Sequence, residues 1–359
     1  MKANYDIVVI GFGKAGKTLA AKLIKAGKSV ALVEKDKNMY GGTCINVGCI
    51  PSKRLITDAS KSPNGEFEKK AQYYKEAVAE KKKLTAVLRK ANYDKIAGAG
   101  VDIIDGMATF KDVDHIIVST KDKNVEIEAK KFIINTGSLT VIPDIEGVNS
   151  KGIYTSESIM NLDKLPKKLT IVGGGYIGLE FASMYADFGS KVTIVQDGDV
   201  FLPREDDDIA KSIREVLESK GVEIVTGAKV TKLEEGKLYY EVAKESKILD
   251  SDAILLAIGR RPNTDGLGCE NAGVKLTDRG AVETDEHLKT SANNIWAAGD
   301  VCGKLQFTYI SLDDSRIIYD EIMGEDKRTT ENRGAFSYSV FINPPFSRVG
   351  MSEKEAKAA

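Results

Sequence analysis

One glycine pattern occurs twice in this sequence, and it restricts the fold more than any other feature. Gly11, Gly13 and Gly16 stand in G-x-G-x-x-G directly after the apolar run YDIVVI, and Gly173, Gly175 and Gly178 repeat that spacing after KLTIV. In both copies an amphipathic stretch follows, then a second apolar run, SVALVE or KVTIVQ. Strand, glycine turn, helix and strand make the context a dinucleotide-binding fingerprint requires. The first glycine permits the tight turn, the second lets a pyrophosphate approach the backbone, and the third lets helix and strand pack closely. The helix N-terminus then faces the phosphates. Gly11 to Glu34 and Gly173 to Gln196 both span 23 positions, so this is a true repeat. The expected fold is α/β, with two Rossmann-like dinucleotide-binding domains. Two dinucleotide sites in one chain suit an enzyme that passes electrons from one dinucleotide to the other.

A chain of 359 residues holds two or three domains. Its net charge of −1, with acids and bases interspersed, argues against a nucleic-acid or anionic-membrane partner. The apolar run near the start is too short for a signal sequence or a membrane span, which predicts a soluble, cytoplasmic protein acting on small molecules. Four cysteines are too few for a secreted disulfide framework.

The ends of the two second strands differ. Glu34 places a carboxylate where it accepts hydrogen bonds from an adenosine ribose, whereas Gln196 stands at the equivalent place in the second copy. Gln196 lacks the charge that repels a 2′-phosphate, yet Asp197 follows and no arginine cluster is near, Arg204 being the nearest. This favours NADH, with NADPH as the alternative.

Between the copies, residues 66–90 are charged and alanine-rich with helical spacing, predicting a long surface helix. Residues 110–134 alternate around KDVDH and KDKN, predicting antiparallel strands that lead into FIINTGS. AILLAIGRRPN and TSANNIWAAGDV read as buried strands ending on Gly259 and on Gly299 and Asp300. FSYSVFINPPFSRVG reads as an edge strand broken by Pro344 and Pro345.

The stretch GGTCINVGCIPSK places Cys44 and Cys49 between glycines. A metal site, a structural staple and a redox pair are the alternatives. Only His115 and His287 are present, and Cys269 and Cys302 lack ligand spacing, which counts against zinc. In a regular helix, residues five apart have Cα atoms about 8.7 Å apart, beyond the ~7 Å a disulfide tolerates. A bridge therefore needs local distortion, for which Gly41, Gly42 and Gly48 supply backbone freedom, while Pro51 suits the first turn of a helix. Thiolates are stabilised at a helix N-terminus, so the pair has the character of a redox site.

These features together resemble the flavin-dependent pyridine nucleotide–disulfide oxidoreductases, over almost the whole chain. GFGKAGKTLA, MYGGTCIN, FLPRED and LQFTYISLDD resemble most the group of bacterial reactive-chlorine-resistance flavoproteins that act as hypothiocyanous acid reductases. The resemblance implies FAD at the first fingerprint and NAD(P)H at the second. Gly11, Gly13, Gly16, Glu34, Gly42, Thr43, Lys53, Ala108, Thr136, Gly137 and Asp300 would hold FAD. Gly173, Gly175, Gly178, Gln196, Val230 and Gly259 would line the nicotinamide nucleotide site. Cys49 would face the flavin, Cys44 would be the outer interchange thiol, and Lys53 would pair with Glu180 beside the flavin. No metal site is implied.

The resemblance also divides the chain into an FAD domain at 1–145 and 256–334, an NAD(P) domain at 146–255, and the start of a C-terminal dimerisation domain at 335–359 that is cut short. In that family this last domain carries a histidine–glutamate pair that serves the partner subunit; neither His115 nor His287 matches it, and both are expected at the surface. The full-length protein would be a homodimer. The implied activity is NAD(P)H-dependent reduction of hypothiocyanous acid or a reactive chlorine species, an oxidative-stress function. The alternatives are a dihydrolipoamide dehydrogenase-like disulfide reductase, a copper or mercury ion reductase, and a non-catalytic flavin-binding fragment.

Overall fold

The structure is a computed structural model and describes residues 4–325 and 327–359. The chain divides into two units. The first comprises the segment up to Ile50, Thr85–Leu139 and Arg260–Gly334. The second comprises Pro51–Leu84, Thr140–Gly259 and Ala335–Ala359.

In the first unit, strands Asp102–Asp105, Val30–Glu34, Asn4–Ile10 and Asn124–Ile134 lie side by side and parallel. Their valine- and isoleucine-rich runs suit a sheet covered on both faces. Strand Asn124–Ile134 is eleven residues long and serves two neighbours besides Asn4–Ile10. Its first half pairs antiparallel with His115–Ser119, which pairs in turn with Met107–Phe110. Its last residues pair parallel with Ile295–Ala297. Helix Lys14–Lys25 presents Ala15, Leu19, Ala20 and Leu23 to one core, where Ile317 and Ile318 of helix Thr308–Met323 join them.

The second unit repeats the arrangement. Its parallel sheet runs Glu223–Val225, Lys191–Val195, Lys168–Val172, Ala253–Leu256 and Ile153–Thr155. Helix Tyr176–Phe188 is apolar nearly all round and correspondingly buried. Strands Lys229–Glu234, Lys237–Val242 and Glu245–Asp250 form an antiparallel meander. Residues 51–84 pack here because Leu55, Tyr74 and Val78 enter its core, and residues 335–359 because Val340 and Ile342 do. Contiguity in sequence does not anticipate either placement.

Two expectations need correction. The long helix spans Phe67–Gly98, well beyond Lys90, since no glycine or proline interrupts it before Gly98. The C-terminal stretch is a hairpin of Ser337–Val340 with Phe346–Val349, in which Pro344 and Pro345 fall in the connection and not in an interrupted strand. The antiparallel strands predicted for residues 110–134 are present.

Candidate active site

Both glycine turns have the geometry their spacing requires. Gly11 (φ 104°) and Gly173 (φ 112°) adopt conformations that L side chains rarely take. A Cβ on Gly11 would meet the Asn135 carbonyl, and one on Gly173 would come within 2.5 Å of the Ala257 carbonyl. A Cβ on Gly16 or Gly178 would meet the carbonyl of the first glycine of its own turn. The helices that follow begin on Gly13 and Gly175, with no side-chain cap and no acidic residue in the first turn. In the first helix Ala15 N and Gly16 N are taken by Ser311 Oγ and Asn135 Oδ1, and no acidic residue in either first turn opposes the positive end of the helix.

Asn135 holds the first turn in place. Its Oδ1 accepts from Gly16 N at 2.9 Å, its Nδ2 donates to Ala298 O at 2.7 Å, and its own N–H donates to Ile10 O at 2.8 Å. Thr136 and Gly137 beside it belong to the expected site, whereas Asn135 does not, its side-chain partners lying 119 and 163 positions away. Glu34, only 8 % exposed, accepts from Phe12 N at 3.0 Å and from Asp36 N at 3.1 Å. Burial pushes its carboxyl above the usual range, and those two N–H groups pull it back.

The other residues expected at the first dinucleotide lie in this unit, apart from Lys53. Thr136 Oγ1 donates to Asn263 O at 2.6 Å, and Asn263 N donates to Gly137 O at 3.0 Å. Asp300 follows Gly299 in the turn after strand Ile295–Ala297, and its Oδ2 accepts from Ser138 Oγ at 2.7 Å. Ala108 is buried on strand Met107–Phe110. Gly42 (φ 78°) lies against the fingerprint itself: a Cβ there would stand 2.7 Å from Gly13 Cα.

The cysteine stretch is two helices, not one. Gly42 starts the turn Thr43–Asn46, which Gly48 N closes on Thr43 O at 2.7 Å, and helix Cys49–Ala59 begins afresh. This break is the distortion the spacing calls for, and it brings Cys44 and Cys49 into hydrogen-bond contact as thiols. Cys49 Sγ also lies 3.4 Å from Thr308 Oγ1. The expected thiolate-stabilising environment is only part of the balance at Cys44: the Cys49 sulfur and burial push its thiol well up, while Thr308 and Lys17 pull it down. Cys269 and Cys302 are buried, and burial raises both thiols, Cys269 to about 11.

In the second unit, Lys53 Nζ contacts both oxygens of Glu180, at 2.8 and 2.6 Å. Phe341 N donates to Glu180 Oε1 at 3.0 Å. Gln196 turns onto its own loop, donating to Gly198 O at 2.8 Å and Val200 O at 3.0 Å. Gly259 (φ 126°) and Gly175 have open space where a Cβ would stand. Val230 lies on strand Lys229–Glu234. Arg204 is exposed. Tyr176, directly after the second fingerprint's middle glycine, donates to the buried Glu205, which also accepts from Tyr338 at 2.7 Å.

His115 bonds to Asp112 and His287 faces Glu321, both partly exposed. Among the described residues, no cluster of three or more metal-ligating side chains occurs, and no helix is long and apolar enough to cross a membrane.

These donor sets fit two dinucleotides. Each unit carries a glycine turn leading into a helix start with no acidic residue, and the first adds a buried carboxylate at the end of its second strand.

Residues 5–315 match the family described as pyridine nucleotide-disulphide oxidoreductase. The chain is 48% identical over 356 residues to the probable pyridine nucleotide-disulfide oxidoreductase RclA of Escherichia coli K12, covering 99% of this chain and 79% of that protein. A solved structure of the HOCl-induced flavoprotein disulfide reductase RclA from E. coli superimposes with a TM-score of 0.92 at 47% identity, covering 99% of this chain and 79% of that one. A mercuric reductase of Staphylococcus aureus is 34% identical, with 99% of this chain and 66% of that protein aligned.

Proposed function

Since this chain belongs to the pyridine nucleotide-disulphide oxidoreductase family and is a flavoprotein disulfide reductase, we propose that its Cys44–Cys49 pair reduces hypothiocyanous acid or a related reactive chlorine species. When bound, FAD and a nicotinamide nucleotide supply the two electrons that open the Cys44–Cys49 disulfide. The chain's own residues do the rest.

Gly11, Gly13, Gly16 and Glu34 would hold the FAD adenosine and pyrophosphate, with Gly42, Thr43, Lys53, Ala108, Thr136, Gly137 and Asp300 completing the site. Gly173, Gly175, Gly178, Gln196, Val230 and Gly259 would line the nucleotide site. The Lys53 ammonium, fixed on Glu180, would supply positive charge that favours electron acceptance. Cys49 faces inward and Cys44 meets the oxidant. As a thiolate, Cys44 attacks the sulfur of hypothiocyanous acid, and hydroxide leaves and is protonated to water. Cys49 then attacks the Cys44 sulfur, closing the disulfide and expelling thiocyanate. Two thiols and one hypothiocyanous acid thus give a disulfide, thiocyanate, water and a proton.

The observation that carries this reading is the contact between Cys44 and Cys49 across a glycine-hinged helix break. Cys44→Ser is expected to keep its flavin and lose turnover of hypothiocyanous acid; full turnover would overturn the assignment. NADH is proposed over NADPH because Gln196 offers no cation for a 2′-phosphate and Asp197 follows it, which kcat/KM for the two nucleotides tests. The homodimer belongs to the same proposal, and light scattering tests it.

A further inference from the structure

The loop carrying Cys44 is fastened by its main-chain carbonyls. Asn46 Nδ2 donates to Tyr40 O and to Gly42 O, each at 3.0 Å. Between those two, the Gly41 carbonyl accepts from Lys17 Nζ at 3.0 Å. Arg89 Nε secures Asn46 Oδ1 at 2.8 Å, and Asn92 Oδ1 accepts from Lys17 Nζ at 2.7 Å. Three successive carbonyls are thus capped by side-chain N–H groups, two from Asn46 and one from a lysine of helix Lys14–Lys25.

A neutral donor would suffice to cap a carbonyl, yet this one is an ammonium. Both of its hydrogen-bond acceptors are uncharged, and among the described residues no carboxylate pairs with it. Lys14 on its own helix and Lys95 on helix Phe67–Gly98 oppose its charge, whereas Cys44, once ionised, favours it. Burial brings Lys17 down to about 8, so it keeps its proton at neutral pH. Around Cys44 the balance mirrors this: Cys49 and burial work against the thiolate, Thr308 and Lys17 for it.

We propose that Lys17 is a positioning residue for the substrate-facing thiol, fixing the Gly41 carbonyl and presenting to Cys44 the positive charge that favours its thiolate. The proposal rests on the assignment of Cys44 made above. An opposite charge beside a titrating group favours its ionised form, and the thiolate is the nucleophile. Lys17 thereby offsets part of the cost of burying a reactive thiol next to a second sulfur.

The test uses flavin-loaded protein carrying Cys49→Ser, so that Cys44 titrates alone, with iodoacetamide as the probe. Lys17→Gln keeps a donor for the Gly41 carbonyl and removes the charge. Its alkylation midpoint is expected to move to higher pH, slowing alkylation at neutral pH about tenfold, while Lys17→Arg restores most of the rate. An unchanged midpoint in Lys17→Gln overturns the proposal, and so does a loss of flavin affinity with that midpoint unchanged. Reciprocity gives a second measurement without any change at Lys17: capping Cys44 with iodoacetamide should lower the midpoint of the Lys17 ammonium, followed by NMR on lysine-labelled protein. No movement there also overturns it. Alkylation reports on Cys44 whether or not the enzyme turns over, so retained turnover in Cys44→Ser would sink the functional assignment without altering this result.

Discussion

The Lys53 ammonium rests on both oxygens of the Glu180 carboxylate, at 2.8 and 2.6 Å, and stands 4.6 Å from the centre of the Phe341 ring. The backbone N–H of Phe341 completes the carboxylate's partners. Glu180 lies on the helix that follows the second glycine turn, so one ion pair joins that helix to helix Cys49–Ala59.

Removing the lysine leaves a largely buried carboxylate with a single N–H partner. With the Lys53 side chain 31% exposed, Lys53→Met should cost about 1–3 kcal/mol rather than the full penalty of breaking a deeply buried pair. Chemical denaturation checks this, with Lys53→Arg recovering most of the loss. Flavin reduction by NADH should slow in Lys53→Met, as stopped-flow absorbance would show.

Asn135→Ala takes away both an acceptor and a donor from buried backbone, orphaning Gly16 N and Ala298 O. The expected cost is about 1–3 kcal/mol. Because Gly16 closes the first fingerprint, FAD should also bind at least about tenfold more weakly. Equilibrium titration of the apoprotein measures this; unchanged FAD affinity would separate Asn135 from the dinucleotide site.

Gly178→Val dissects the two sites. Its Cβ would collide with the Gly173 carbonyl inside the second turn, while the first turn lies in the other unit. The variant should purify with its flavin yet fail to bleach when NADH is added, although dithionite still bleaches it. Normal bleaching by NADH would count against the second turn as the nucleotide site.

Glu34 carries a pH signature. Its folded-state carboxyl is raised by burial, so the stability it contributes is fully present below the ordinary carboxylate range and is lost as pH rises through its folded-state value. Glu34→Gln does not ionise. The difference in apoprotein melting temperature should therefore move in favour of Glu34→Gln as pH rises from acid toward neutral. A difference independent of pH would contradict the shift.

Much of this was visible in the sequence, because apolar periodicity and glycine spacing are local signals. Both strand–turn–helix units, the Glu34 and Gln196 positions and the cysteine loop declare themselves within stretches of about 30 residues, the size of one such unit. Side chains that act across the chain left no local mark. Asn135 lies in the strand ending FIINTGS, Lys17 in GFGKAGKTLA and Thr308 in LQFTYISLDD, none of them singled out by its own stretch, yet each meets the site through tertiary contact. The helix break at Gly48 was implied by disulfide geometry, whereas the upward push on the Cys44 thiol was not, since it depends on burial and on the neighbouring sulfur. Residues 51–84 pack with the second unit because Leu55 and Tyr74 enter its core, a placement that sequence adjacency does not signal.

The central claim is that Cys44 and Cys49 exchange electrons with a bound flavin and then with an oxidant. Stepwise anaerobic addition of NADH to the flavin-loaded protein, followed by visible absorbance, tests it most directly. A long-wavelength charge-transfer band is expected after two electrons in the native protein, already present before NADH in Cys44→Ser and lost as NADH reduces the flavin there, and absent throughout in Cys49→Ser. A flavin that bleaches fully with no such band, or one that NADH does not reduce at all, would contradict it.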